Sequence, residues 1–269
     1  MAVVTPGAPA GASVRAGDLL GAEWIKLSSV RSTVLTGVLG VVGAVGVTLL
    51  FADSAMSRWD RMSPESRASF DPIGGSFGGF LLLQLAVLVI GALAIGGEYS
   101  SGLIRTTLTA VPDRRRVLLA KAALVGGLGL AVGGAAALFS AGVAQALFAE
   151  HGVGLPLLSS ELLTGVAATA VRLGAVAVVG LALTALLRST AGGVVTGFAV
   201  LFVAPAFLRG SEGWTLTVHR VLLESAVRRL TTHHHDVLGP SAGGAWASLL
   251  LHPAVVLALA VFVIGRRDV

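Results

Sequence analysis

Cysteine is absent from the 269 residues, which removes disulfides, thiolate metal sites and thiol chemistry. Charge is scarce: 12% of residues are charged, about half of what a soluble domain of this size carries. No G-x-x-x-x-G-K-[ST] run occurs, and the two lysines follow Ile25 and Ala120, so the chain does not cradle nucleotide phosphates by that route. There is no H-E-x-x-H, and "EYSSG" (Glu98–Gly102) lacks the first glycine of a nucleophile elbow. "HHHD" (His233–Asp236) is the only metal-like run; neighbouring histidines point in different directions on regular structure, so a surface loop is the better reading. Catalytic, cofactor and metal sites are therefore expected to be missing from this chain. The N-terminus has no basic patch followed by an apolar run, so no cleavable signal is expected and residues 1–20 read as a flexible tail.

What is present is hydrophobic length. Apolar residues make up 55% of the chain, the mean hydropathy is +0.88, and they come in continuous blocks rather than in the alternation of half-buried elements. A hydrocarbon layer about 30 Å thick needs about 20 apolar helical residues to cross it. Six runs qualify, near 33–52, 77–97, 118–148, 164–187, 190–208 and 246–265. A closed barrel would show short alternating strands, whereas "LLLQLAVLVIGALAIGG" (Leu81–Gly97) is unbroken. The fold class expected is an all-α integral membrane protein with six transmembrane helices, occupying residues 33–269.

Lysine and arginine favour cytoplasmic loops. Placing both termini inside puts Arg105, Arg114, Arg115, Arg116, Lys121 and Arg188 in short cytoplasmic connectors, and leaves most acids outside. Segments 53–76, 149–163 and 209–245 then lie outside. The pI near 10.9 follows from this topology, and no nucleic-acid partner is implied.

The connectors carry their own patterns. "GAEWIKLSSVRST" (Gly21–Thr33) sets Trp24 and Leu27 on one face beside Glu23 and Lys26, as in an interfacial amphipathic helix over 21–32. "WTLTVHRVLLESAVRRL" (Trp214–Leu230) repeats Val218, Leu222, Ala226 and Leu230 at i+4, which predicts an outer helical segment before the last span. Small residues at packing intervals (Gly37, Gly40, Gly43 and Gly46; Gly129 and Gly133; Gly193 and Gly197) allow close helix approach, either within the chain or at a dimer seam. Gln84, Gln145 and Arg172 are polar residues inside or beside spans and are candidate pathway-lining groups.

The segment Gly97–Lys121 concentrates polarity between two apolar runs. Tyr99, Leu103 and Thr107, with Ile104 and Leu108 alongside, fall at helical spacing; Ser100 or Ser101 is placed to cap a start, Pro112 ends the element, and Asp113 is placed to cap the third span. The order Glu98, Gly102, Arg105, Leu108, Pro112, Arg115, Lys121 (E-x3-G-x2-R-x2-L-x3-P-x2-R-x5-K), with "EWIKLSSVRST" before the first span and "LLRSTAG" (Leu186–Gly192) between the fourth and fifth, resembles the membrane permease subunits of type-2 ABC exporters. The resemblance implies a half-transporter that pairs as a homodimer, or as a heterodimer with a second permease, in the lipid bilayer of the cell membrane. It also implies a separate ATP-binding subunit, which holds the ATP and Mg and performs the hydrolysis. The first cytoplasmic connector would then be a coupling helix, with Glu98, Gly102, Leu103, Ile104, Arg105, Leu108, Pro112 and Arg115 as the docking element.

Two other classes stay open: a membrane anchor or immunity- or resistance-type protein without a transport cycle of its own, and a secondary carrier. The proposed spans contain no carboxylate of the kind such carriers use. Topology is directly testable. Single cysteines introduced into this cysteine-free chain should react with impermeant reagents at 53–76 and 209–245 from outside intact cells. Labelling of Ser101→Cys from outside would overturn the orientation.

Overall fold

A computed structural model describes residues 15–111, 113–208, 213–232 and 239–266. Every regular element among them is helical: α1 (Ala16–Ser29), α2 (Arg31–Met56), α3 (Pro64–Ala68), α4 (Pro72–Ser76), α5 (Leu81–Ser101), α6 (Leu103–Ala110), α7 (Arg114–Ala149), α8 (Ser160–Leu187), α9 (Thr190–Phe198), α10 (Ala204–Phe207), α11 (Gly213–Val221), α12 (Leu223–Thr231) and α13 (Ala242–Arg266). Six helices are long and apolar enough to span a membrane: α2, α5, α7, α8, the composite α9–α10 over Thr190–Phe207, and α13. The chain is thus an all-helical, multi-pass membrane protein.

The bundle is built around α8, which packs against α5, α7, α9, α12 and α13. Large apolar side chains that a soluble protein would bury stay outside instead: Val34, Leu35, Val38 and Leu39 on α2, Leu130 and Phe139 on α7, and Leu251, Val255, Leu259 and Phe262 on α13. Their solvent is lipid. Without a hydrophobic drive between helices, close packing decides which faces meet. The glycines show where. A Cβ at Gly91 would lie 2.0 Å from the Ala177 carbonyl oxygen of α8, and one at Gly180 would lie 2.4 Å from that of Leu88 on α5. Gly40 and Gly43 of α2 meet Leu83, Ala86 and Leu82 of α5; Gly129 and Gly133 of α7 meet Leu173 of α8; Gly193 and Gly197 meet Thr184 and Leu88. Gly40, Gly43, Gly129, Gly133, Gly193 and Gly197 are thus close contacts within the chain, whereas Gly46 meets nothing within 4 Å.

Local chemistry sets the breaks. The tail expected over 1–20 and the helix expected over 21–32 divide differently: α1 already begins at Ala16, residues 1–14 lie outside the described residues, and Val30 separates α1 from α2 with an extended backbone. The capping expected of Ser100 or Ser101 does not occur. Both hydroxyls donate to the Gly97 carbonyl within α5, and the chain turns into α6 at Gly102, whose φ of 74° a side chain tolerates poorly. Asp113 does cap α7, accepting from the Arg116 amide at 3.2 Å. In the fifth span, Pro205 supplies no N–H and crowds the carbonyl four residues back; there the helix widens into a π-helical segment, Ala199–Val203. The helical segment before α13 is two helices, because Leu222 is extended between α11 and α12.

The α5–α8 contact gives a test. Gly91→Ala pushes a methyl group into the backbone of α8, and overpacking of this kind costs about 1–3 kcal/mol. Thermal unfolding of the purified protein, followed by circular dichroism, should show a clear loss for Gly91→Ala. No loss is expected for Gly142→Ala, whose Cβ meets nothing within 4 Å.

Candidate functional site: a buried charge cluster under the first helix

Lys121 lies in the second turn of α7 and is 1% exposed. An ammonium group is retained at such a position only if its charge and its three hydrogens are all answered. Three acceptors surround it: Glu23 Oε2 of α1 at 2.5 Å, Glu98 Oε1 of α5 at 2.8 Å and the Ala94 carbonyl at 3.1 Å. Lys26, one turn along α1 from Glu23, meets Glu23 Oε1 at 2.9 Å, Glu98 Oε1 at 2.8 Å and the Thr107 hydroxyl of α6 at 3.5 Å. Two carboxylates and two ammonium groups therefore form one neutral cluster tying α1, α5, α6 and α7 together.

Burial pulls the Lys26 ammonium down, but the hydrogen bonds and charges of Glu98 and Glu23 outweigh it and hold its pKa above the ordinary lysine value. Lys26 is therefore charged throughout the neutral range, and its contribution is fully present below the ordinary lysine value and lost as pH rises from there through the raised one. Glu23 and Leu27, four residues apart, form the inner face of α1, while Trp24 and Ile25 are exposed. The sequence pattern paired Trp24 with Leu27; the structure pairs Leu27 with Glu23 instead, because the acid has a buried partner to reach.

The expected docking residues separate by burial. Glu98 is 6% exposed and committed to the two lysines, so it faces inward and does not present itself to a partner. Ile104 is also buried, beside Ile95, Tyr99, Leu118 and Ile264 at the end of the bundle. Leu103 is 55% exposed, and Thr106 and Thr109 share its outward side. Gly102 forms the turn. Arg115 is exposed on the first turn of α7, near Gly265 of α13. Arg105 and Leu108 belong to α6, but their side chains lie outside the described residues, as does Pro112. The main contact of α6 is with α5, which leaves its outer side uncovered.

The candidate pathway residues fall into two structures. Gln84 of α5 and Arg172 of α8 come together by a hydrogen bond, and Arg172 also pairs with Glu224 of α12 at 3.1 Å. Arg172 thus ties α12 to the bundle. Gln145 of α7 gives both amide hydrogens to the α4 segment, at the Pro72 carbonyl (3.0 Å) and the Ser76 hydroxyl (3.1 Å), and accepts from the Leu155 amide at 2.6 Å. It fastens the loops of that end around Trp59, Phe70 and Phe148 and has no hydrogen left for a solute. No group of three metal-ligating side chains occurs among the described residues, and His233–Asp236 lie outside them.

Sequence reasoning missed Glu23, Lys26 and Lys121 as partners of Glu98, and Glu224 as the partner of Arg172. A signal existed for the first: a lone lysine in "RVLLAKAALVGG" requires an acid, and few acids flank that end of the bundle. A scan against protein-family models finds no match for this chain, and a search of curated proteins finds none either.

Removing one member of the cluster leaves an uncompensated buried charge. Lys121→Met should lower unfolding stability by about 3–5 kcal/mol. Lys121→Met combined with Glu98→Gln should lose less than the two single changes summed, by about 0.5–3 kcal/mol. Strict additivity in this cycle, read by thermal or denaturant unfolding, would contradict a shared cluster.

Proposed function

We propose that the chain is the membrane permease subunit of an ATP-driven exporter, working as a homodimer or with a second permease, with ATP hydrolysed on a separate subunit. One observation carries the reading. A short helix, α6, is set off from a span by a left-handed glycine and keeps an exposed leucine outward, while its base is tied through Thr107, Lys26 and Glu98 to two other helices. That is the layout of a handle: a contact surface outside and a connection to the spans inside. Absent phosphate-binding chemistry fits a partner that supplies it. The order of Glu98, Gly102, Arg105, Leu108, Pro112, Arg115 and Lys121 supports the same reading by its resemblance to type-2 ABC permeases.

In this reading both termini, α6 and the charge cluster face the cytoplasm, and α1 lies in the headgroup layer with Trp24 and Ile25 toward lipid. The α11–α12 segment lies on the outer side. The docking surface narrows to Leu103 and its exposed neighbours on α6. Ile104 seats that helix on the bundle, and Glu98 transmits rather than touches. Burying a leucine is worth about 1.5–3 kcal/mol, so Leu103 supplies affinity.

The test is the enzymatic company the chain keeps. Solubilised from its own membranes, the tagged protein should carry Mg-dependent ATP hydrolysis. Leu103→Asp should remove that activity without changing helix content, because the residue is exposed. Arg114→Ala should do little. A purified assembly without ATP hydrolysis would favour the membrane-anchor reading; hydrolysis that survives Leu103→Asp would remove α6 from the interface.

A further inference from the structure

At the end of the bundle away from Lys121, residues of α4, α8, α12 and α13 line a recess of about 340 Å³. Its covered wall is apolar: Ile73 of α4 and Leu230 of α12 are buried, and Ala242 opens α13 beside them. Two opposite charges line it as well, Glu161 in the first turn of α8 and Arg229 in the last turn of α12. Ser160, Thr164 and Thr232 complete the lining with hydroxyl groups.

Glu161 and Arg229 share this recess without meeting. Neither side chain forms an ion pair or a hydrogen bond with another described residue. Each charge suits the helix end on which it stands. That explains neither the five unused donors of Arg229, which is half-buried, nor the convergence of both charges on one recess. A guanidinium partly withdrawn from water favours an anion that takes its N–H groups in pairs. Glu161 favours a cation, and Thr164 supports it: that hydroxyl donates to the Ser160 carbonyl at 2.7 Å, which leaves its oxygen free to accept. The two charges cancel. A ligand carrying both signs answers each group, whereas an ion of one sign leaves the other group unanswered.

We infer that this recess binds a small zwitterion, an α-amino acid with an apolar side chain. Its carboxylate pairs with Arg229, its ammonium with Glu161 and the Thr164 oxygen, and its side chain rests on Ile73, Leu230 and Ala242. The volume lies at the lower end of small-molecule pockets, about 300–1,000 Å³, which suits a ligand of this size. The inference does not rest on the exporter reading; in that reading the recess opens on the outer side.

Displacement of radiolabelled leucine from the purified full-length protein tests it. Isoamylamine, which is leucine without its carboxylate, should compete roughly tenfold less well. Isocaproate, which is leucine without its ammonium, should compete several-fold less well, a smaller loss because Glu161 is exposed. Arg229→Gln should weaken leucine by about tenfold and level it with isoamylamine. Glu161→Gln should level leucine with isocaproate. A merely structural role for either residue would not level the matching pair. The competition series on the unmodified protein needs no variant to fold. No saturable leucine binding, equal competition by the three compounds, or discrimination that persists in either variant would overturn the assignment. Stronger competition by glycerophosphoethanolamine, a soluble lipid headgroup bearing both charges, would overturn it too.

Discussion

Burying Lys121 is the constraint on which one end of this protein depends. An ammonium ion in a span end is tolerated only where carboxylates converge on it, and the two that do so come from helices otherwise free to move apart: α1, which lies outside the bundle, and α5, at its centre. Lys26 closes the set by bridging the same two acids and reaching α6. The cluster thus fastens α1, the end of α5 and the start of α7 to one another, over breaks that Gly102 and Asp113 set locally. Such a cluster adds little net stability compared with apolar packing, but it sets one arrangement and penalises others, because any shift that separates the four residues strands a charge.

Elsewhere the bundle is held by close approach rather than by charge. The reciprocal contacts of Gly91 with Ala177 and of Gly180 with Leu88 bring α5 and α8 backbone to backbone, and dispersion over such a contact replaces the hydrophobic drive that lipid removes. This is why α5 and α8 are largely covered while α2 and α13 keep most of their length against lipid.

The spans were legible because lipid imposes length and continuity on each helix separately, and the chain's apolar runs at 33–52 or 164–187 need no knowledge of their neighbours. The Asp113 cap was also a local signal, but the serines proposed as caps turned inward to Gly97, and the helix read from Tyr99 through Leu103 is broken at Gly102. What was not legible is whatever depends on two elements at once. Leu103 and Ile104 are adjacent and equally apolar, and only the packing of α6 on α5 sends one out and the other in. Gln84 and Arg172, eighty-eight residues apart, were singled out separately, and nothing in their local sequence indicated that they pair or that Arg172 also holds Glu224. Gln145 looked like a polar group in a span; its partners at Pro72, Ser76 and Leu155 lie in loops whose paths the sequence leaves open. Glu98 was legible as a residue of note, but its burial against Lys26 and Lys121 was not, because a motif fixes which residue occurs and not which way it faces.

The two polar networks share one helix, and this links the ends of the molecule. Gln84 lies in the first turn of α5 and Glu98 in its last. Fourteen residues at 1.5 Å each separate them by about 21 Å, and fourteen steps of the helix bring them back to within about 40° of the same face. α5 is therefore held at both ends by charge-assisted hydrogen bonds and pressed along its middle against α8. From Gln84 the polar contacts continue to Arg172 of α8 and on to Glu224 of α12. α7 makes a second such link, with Lys121 in the charge cluster near its start and Gln145 among the loops near its end, so two adjacent helices each carry polar anchors at both ends with apolar length between.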